Sequence, residues 1–162
     1  MPAPTVCRFA VARIISGGQT GVDRAALDVA LDLGLGCGGW CPHGRRAEDG
    51  PIPARYPLRE TCSPGYPERT AANVRDASAT LVLTRGGPHG GTALTVSLTR
   101  RLRKPCLIVD LASGPNAAEV RQWLADQKTR VLNVAGPRES EHPGIHAQAA
   151  AFLRDVIAGE RR

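Results

Sequence analysis

Residues 14–26 read IISGGQTGVDRAA, which joins an apolar run, a glycine-rich corner and the start of an amphipathic run. The apolar run belongs to a predicted strand over residues 11–16, and the amphipathic run begins a predicted helix over residues 21–34. The apolar face of that helix comprises Val22, Ala26, Val29, Ala30 and Leu33. A strand that passes into a helix through glycines is the repeating unit of parallel α/β proteins.

The same alternation of apolar β-type runs and helical patterns continues along the chain. Further strands are predicted over residues 35–41, 80–85, 106–111 and 130–136, and further helices over residues 67–79, 90–104, 113–128 and 145–159. Near-continuous apolar strands between helices indicate a parallel sheet that is covered on both faces. We therefore predict an α/β fold, a single-domain Rossmann-like three-layer sandwich with a mainly parallel sheet of about five or more strands.

One segment, at about residues 41–67, interrupts this alternation. It contains six prolines, several charges and no clean periodicity, and it is too long for an ordinary connection in a compact domain. Its tyrosines and paired charges differ from the Ser/Gly composition of a flexible linker. We therefore predict one ligand-binding domain over residues 1–162, in which this ordered Pro-rich insertion is the wall or lid of a site.

The composition narrows the class of protein. No apolar run approaches the roughly 20 residues of a membrane helix, so we expect a cytoplasmic protein without a membrane partner. Five cysteines at irregular spacing indicate reduced thiols, and the set formed by Cys37, Cys41, His43 and Cys62 does not predict a metal site.

The net charge of +6 comes from 19 Arg against 2 Lys, which indicates either an anionic partner or a genomic bias toward arginine. Dispersed basic residues and few aromatic residues disfavour nucleic acid as the partner.

Two glycine-rich corners follow predicted strands, at residues 17–21 and at residues 86–92. Glycines let a backbone approach a ligand closely, and the N–H groups at the start of the next helix favour an anion. If the two strands are adjacent, the corners form one phosphate cradle. The structural alternative is that Thr20 and Asp23 form a capping box at the start of their own helix. Neither corner matches a Walker A loop or the Gly-x-Gly-x-x-Gly dinucleotide motif.

The chain resembles the molybdenum carrier proteins, a branch of the Rossmann-like superfamily that also contains the lysine decarboxylase-like, cytokinin-activating phosphoribohydrolases. Five stretches in the same order carry the resemblance over nearly the whole chain: SGGQTGVDRAALDVA, GWCPHGRRAEDGPIPARYPLRET, YPERTAANVRDASATLVL, GGTALT and LNVAGPRESEHPGI. The resemblance implies binding of the molybdenum cofactor, a pterin with a dithiolene and a terminal phosphate. It also implies a homo-oligomer, either a dimer or a tetramer, that passes the cofactor to molybdoenzyme apoproteins.

Carried over residue by residue, the resemblance implies a set of ligand-binding positions. The first corner and its helix supply Gly17, Gly18, Gln19, Thr20, Gly21, Asp23 and Arg24. The second corner supplies Gly90, Gly91 and Thr92. The insertion and the helix after it supply Arg45, Glu48, Arg69 and Asn73.

The phosphoribohydrolases of the same superfamily offer a rival function, the hydrolysis of a nucleoside monophosphate. They resemble one another in a Pro-Gly-Gly-x-Gly-Thr-x-x-Glu motif, whose Gly-Thr corresponds to Gly91 and Thr92 and whose glutamate corresponds to Thr95. Cleavage of a glycosidic bond needs a nearby carboxylate, so the threonine favours binding over turnover and we assign no catalytic residue. A decarboxylase that uses pyridoxal phosphate is disfavoured because Lys104 and Lys128, the two lysines, lie at predicted helix ends.

Overall fold

The computed structural model describes residues 10–160, so the two ends of the predicted 1–162 domain lie outside the described residues. Five α-helices occur in this part of the chain: α1 (Val22–Asp32), α2 (Tyr66–Asp76), α3 (Gly90–Arg101), α4 (Ala117–Asp126) and α5 (Ile145–Glu160). The strands are β1 (Arg13–Ile15), β2 (Gly36–Gly38), β3 (Trp40–Cys41), β4 (Arg46–Ala47), β5 (Gly50–Pro51), β6 (Arg59–Glu60), β7 (Ala79–Thr84), β8 (Cys106–Asp110) and β9 (Val131–Ala135).

Five strands form one fully parallel sheet in the order β2-β1-β9-β7-β8. The central strand, β9, is the last of the five along the chain, and Leu132 pairs with Ile14 on one side and with Ala79 on the other. If β9 is numbered 1 and β1, β2, β7 and β8 are numbered 2 to 5, the strands lie in the order 3-2-1-4-5 across the sheet. This is the strand order of the Rossmann fold. The sheet is therefore a Rossmann sheet whose sequence order is circularly permuted.

The helices cover both faces of the sheet and complete the three predicted layers. Helix α5 packs against both α1 and α4 on one face, and α2 packs against α3 on the other. The main core is formed by apolar side chains of α1, α4, α5 and the sheet, including Ile14, Leu81, Leu132, Leu153 and Ile157. The inner strand β7, whose six residues are all buried, shows the pattern of a parallel sheet that is covered on both faces.

The Pro-rich insertion, which we predicted at about residues 41–67, occupies residues 39–65, between β2 and α2. It contains two small sheets, the parallel pair β3-β6 and the antiparallel pair β4-β5. Its apolar side chains form a second core with the outer side of α1, where Ile52 and Tyr56 pack against Leu27. Leu27 lies outside the apolar face that the helical periodicity predicted, and the insertion buries it.

The predicted helices and strands are confirmed, with shifts at their ends. The predicted strand over residues 35–41 is divided into β2 and β3 at Gly39, whose φ of +125° suits glycine. The helix predicted from residue 113 begins at Ala117, after a short 3₁₀ turn over Leu111–Ser113. Among residues 10–160, no helix has both the length and the apolar character needed to cross a membrane.

Candidate functional site

A cleft of about 290 Å³ lies where β1, β9 and β7 end. Its walls come from the first corner, from the starts of α2 and α3, and from the loop that follows β9. The helix after β9 covers one face of the sheet and the helix after β7 covers the other. This is the topological switch point of the sheet, the position where doubly wound α/β proteins bind their ligands.

The two glycine-rich corners do not follow adjacent strands, because β9 lies between β1 and β7. That part of the sequence interpretation is wrong: pairing order is set by contacts between segments far apart in sequence. Residues of both corners nevertheless reach the cleft, which Gln19 and Asp23 line on one side and Gly90, Gly91 and Thr92 on the other.

The glycines of the first corner serve packing inside the protein. A Cβ at Gly17 would collide with Arg69, and one at Gly18 would collide with apolar side chains of the insertion. A Cβ at Gly21 would collide with the backbone of the loop after β9. These glycines therefore allow three segments to close around the corner, while the side chains of Gln19 and Asp23 face the cleft.

The Gln19 amide has a defined orientation. Its Oε1 accepts hydrogen bonds from the backbone N–H groups of Thr20, at 3.1 Å, and Glu48, at 2.9 Å. Gln19 is 5% exposed, and within the described part of the chain its Nε2 has no hydrogen-bond partner. A buried amide donor without a partner costs free energy, so this group is a candidate for contact with a ligand.

Asp23 and Arg69 form the charged floor of the cleft. The Arg69 Nη1 lies 3.5 Å from the Asp23 Oδ2, and the same oxygen accepts a 3.3 Å hydrogen bond from the Gln19 N–H. Burial raises the pKa of Asp23 above its ordinary value, although Arg69 and the Gln19 N–H act in the opposite direction. The N-cap residue of α1 is Gly21, which has no side chain that could cap the helix. The structure therefore does not contain the Thr20–Asp23 capping box.

The start of α3 is open to the cleft. No atom outside the local chain lies within 4 Å of a Cβ placed on Gly90 or Gly91, so a ligand can approach the backbone. The first N–H groups of an α-helix have no acceptor within the helix, and they carry the positive end of its dipole. Thr95, at the position of the hydrolase glutamate, is buried in this wall, and its hydroxyl donates to the Gly91 carbonyl at 3.0 Å.

Arg24 and Arg45 lie outside the cleft and bind the insertion. Arg24 pairs with Asp49 through both guanidinium ends, and its Nε donates to the Gly18 carbonyl at 3.0 Å. Arg45 donates to four backbone carbonyls of the insertion, those of Ile52, Pro53, Tyr56 and Leu58. Both guanidinium groups therefore organise the wall of the site.

The side chains of Glu48 and Asn73 also form hydrogen bonds within the protein. The Glu48 carboxylate accepts hydrogen bonds from the hydroxyls of Thr20 and Ser140. Partial burial raises the pKa of Glu48, but these hydrogen bonds outweigh it and bring the pKa below its ordinary value. The Asn73 amide both donates to and accepts from the backbone of Trp40, at 2.9 and 2.8 Å. These contacts join the insertion to the corner, to the loop after β9 and to α2.

Nine further residues line the cleft that the resemblance did not supply, among them Tyr66, Arg138 and Glu141. Tyr66 is the first residue of α2, and the other two come from the loop after β9. The sequence gives Arg138 and Glu141 the i,i+3 spacing of an ion pair, and their charged atoms lie 3.7 Å apart. Both residues lie in the loop after β9, the central strand of the sheet.

The cleft contains charged groups, but residues 10–160 contain no cluster of three or more His, Cys, Asp or Glu side chains suited to a metal ion. The permuted sheet defines a Rossmann-like α/β protein. Its switch point, with an open helix start and an amide that has no partner among residues 10–160, is a candidate ligand site.

The chain belongs to the circularly permutated YpsA SLOG family, whose model matches residues 14–157. It is also similar to a crystal structure described as that of a "putative molybdenum carrier protein" from Syntrophus aciditrophicus SB. The two chains share 39% sequence identity with a TM-score of 0.87, over 91% of this chain and 96% of the other. None of the curated proteins matches this chain at comparable significance. The comparisons confirm the family resemblance and the Rossmann-like fold.

Proposed function

We propose that this protein binds the molybdenum cofactor in the cleft and acts as its carrier. The similar crystal structure, named for a molybdenum carrier, supports a carrier-like role. The observation that carries the ligand assignment is the Gln19 Nε2, a buried donor without a partner among the described residues, in a cleft whose opposite wall is a glycine-only helix start. A ligand with one anionic end and one heterocyclic end would use both walls.

The phosphate of the ligand is assigned to the start of α3. Gly90 and Gly91 leave the helix N–H groups accessible, and Thr92 follows them on the same wall. Phosphate groups bind at such positions because the N–H groups and the helix dipole act together. Arg69, on the floor of the cleft, adds a guanidinium that can form bidentate hydrogen bonds with phosphate oxygens.

The heterocycle of the ligand is assigned to Gln19 and Asp23. A pterin edge carries a carbonyl oxygen and ring nitrogens that accept hydrogen bonds, as well as an amino group that donates them. The Gln19 Nε2 supplies a donor, and the Asp23 carboxyl, whose pKa burial raises, supplies an acceptor or a donor according to its protonation. The N–H groups of Thr20 and Glu48 hold the Gln19 amide, and Gly17 leaves room for Arg69 beside Asp23. Arg45 and Asn73 support the wall of the site through their hydrogen bonds to the backbone of the insertion.

The resemblance also motivates proposals about the oligomeric state of the protein and about the proteins that receive the cofactor from it. We propose that the protein is a homo-oligomer, a dimer or a tetramer, and that it delivers the cofactor to molybdoenzyme apoproteins. Sedimentation of the purified protein tests the first point, and an apoenzyme reconstitution assay with the loaded protein tests the second. A monomer at all concentrations would contradict the proposed assembly.

Hydrolysis of a nucleoside monophosphate is the second candidate function, and one observation favours it. Although Thr95 replaces the glutamate, two carboxylates, Asp23 and Glu141, line the same cleft. A carboxylate beside a bound ribose could stabilise an oxocarbenium-like transition state. Against this, Asp23 is 3% exposed and is paired with Arg69, so it lacks the free carboxylate that this chemistry needs.

The deciding experiment mixes the purified protein with molybdenum cofactor and separates the mixture by gel filtration, with and without AMP as a competitor. We expect molybdenum and pterin fluorescence in the protein peak, and their displacement by AMP if both ligands place a phosphate at α3. Release of ribose 5-phosphate from AMP without pterin retention would overturn the carrier proposal. In that case Asp23→Asn should abolish release, whereas Glu68→Gln, an exposed carboxylate outside the cleft, should not.

A further inference from the structure

Three arginines surround one tyrosine at the cleft. The guanidinium carbons of Arg46, Arg69 and Arg138 lie 5.6, 5.4 and 5.2 Å from the centre of the Tyr66 ring. Arg46 comes from the insertion, Arg69 from α2 and Arg138 from the loop after β9. Segments far apart in sequence therefore bring three positive charges to the same ring, which we call the Tyr66 cluster.

The positive charge of the Tyr66 cluster is only partly balanced. Arg69 and Arg138 each face one carboxylate, Asp23 at 3.5 Å and Glu141 at 3.7 Å. Within the described residues, Arg46 has no carboxylate within 4 Å, and its side chain is exposed. The face of an aromatic ring attracts cations, but guanidinium groups at such distances from one ring also repel one another.

The Tyr66 cluster is continuous with the phosphate position at α3. Tyr66, Arg69 and Arg138 line the same cleft as Gly90 and Gly91. The cleft thus has two positive centres. One is the helix start, where the dipole favours an anion, and the other is the Tyr66 cluster, whose arginines offer planar donor forks: Arg69 and Arg138 line the cleft, and Arg46 lies on the same Tyr66 ring beside it. A single phosphate at the helix start leaves the cluster, and Arg46 in particular, without an anion.

We propose that the Tyr66 cluster is a second anion subsite, so that the cleft accepts ligands with a diphosphate or with two separate anionic groups. The first phosphate binds at α3 and Arg69, and the second binds between Arg46 and Arg138. This inference rests on the cleft of the proposed function but concerns the ligand's charge, whichever heterocycle the ligand carries. The second anion reduces the repulsion among the arginines that the empty cluster retains.

The test compares inorganic phosphate with inorganic pyrophosphate by titration calorimetry of the purified protein at constant ionic strength. Because pyrophosphate reaches both subsites, we expect it to bind at least about tenfold more tightly than phosphate. Arg46→Gln should remove most of this difference while leaving phosphate affinity unchanged. The matched control is Arg59→Gln, an exposed arginine of the same insertion that lies 5.8 Å from the Trp40 ring and outside the Tyr66 cluster.

Equal affinity for the two anions, or no binding of either, would overturn the second subsite. So would equal losses in Arg46→Gln and Arg59→Gln, because these would reflect net charge alone. The outcome is separable from that of the carrier proposal. Pterin retention without a pyrophosphate preference overturns only the second subsite, and a pyrophosphate preference without pterin retention overturns only the carrier function.

Discussion

The backbone N–H of Glu48 donates a 2.9 Å hydrogen bond to the Oε1 of Gln19. Together with the N–H of Thr20, at 3.1 Å, it fixes which end of the Gln19 amide is the oxygen. The Nε2 is thereby held as a donor, and the insertion sets its orientation. The insertion, which a minimal Rossmann unit lacks, thus determines that Gln19 presents a hydrogen-bond donor to the cleft.

Replacing Gln19 by Glu should separate the acceptor role of the Oε1 from the donor role of the Nε2. A carboxylate oxygen still accepts from both backbone N–H groups, but the Nε2 donor is replaced by an acceptor. We expect affinity for the molybdenum cofactor to fall at least tenfold, which is about 1.4 kcal/mol, measured by retention in gel filtration. A buried charge beside Asp23 also lowers stability, so both proteins are compared where circular dichroism shows them folded. Unchanged retention in a folded Gln19→Glu protein would remove this amide from the site.

Replacing Gly91 by Asp should weaken binding without harming the fold. A side chain at this position meets no atom within 4 Å, and an acidic residue in the first turn suits the helix dipole. We expect an unchanged or slightly higher melting temperature, with cofactor affinity reduced at least about tenfold by repulsion of the phosphate. Gly91→Asn is the matched neutral control and should lose much less affinity. Equal losses in the two variants would indicate a steric effect and would count against an anion at α3.

Arg24 should contribute to the stability of the fold, whereas Arg69 should contribute to cofactor binding. Arg24→Met removes the contacts to Asp49 and Gly18 but nothing that lines the cleft. Since Asp49 is half exposed, we expect the free energy of unfolding in urea to fall by roughly 1 kcal/mol, with cofactor retention unchanged. Arg69→Met, in contrast, should reduce retention. Lost retention in a folded Arg24→Met protein would show that Arg24 contacts the ligand after all.

Tyr56 should make the fold sensitive to alkaline pH. Burial and the 2.8 Å hydrogen bond from its hydroxyl to Asp28 raise the pKa of Tyr56 to about 12, from about 10 in an unfolded chain. The folded state therefore keeps a proton that the unfolded state loses, so this stabilisation is complete below about pH 10 and is lost as pH rises to about 12.

The measurement for Tyr56 is the free energy of unfolding in urea between about pH 9 and about pH 12. Tyr56→Phe should be less stable at the lower pH, because Asp28 loses a donor, and its stability should fall less steeply toward the higher pH. Parallel slopes for the two proteins would show that the tyrosine keeps its ordinary pKa in the folded state.

Local sequence patterns predicted most of the fold. The strands and helices were recoverable because the inner strands β7 and β9 are largely buried and because a helix such as α1 has an apolar stripe, which includes Val22, Ala26 and Val29. The location of the site could be predicted as well, since helix starts and strand ends meet at one edge of a parallel sheet. The order of the strands could not, because the pairing of Leu132 with Ile14 joins segments separated by most of the chain.

The individual roles of the site residues were harder to predict. A sequence shows that Arg24, Arg45 and Glu48 are charged, but not that nearby backbone and side-chain groups already occupy them. Conversely, Tyr66 and Arg138 reach the cleft through the positions of α2 and of the loop after β9. Whether a polar side chain faces a ligand depends on its tertiary partners, which spacing alone does not encode.

The central position of β9 has a consequence for synthesis on the ribosome. The strands that flank it, β1 and β7, emerge earlier, and until β9 follows they form at best two separate strand pairs, β2-β1 and β7-β8. Two-stranded sheets are marginally stable in water, and each pair would expose an apolar inner edge of the kind that aggregates. The nascent chain is therefore most vulnerable just before its final strand and helix emerge, and that is the stage at which a chaperone would have most to protect.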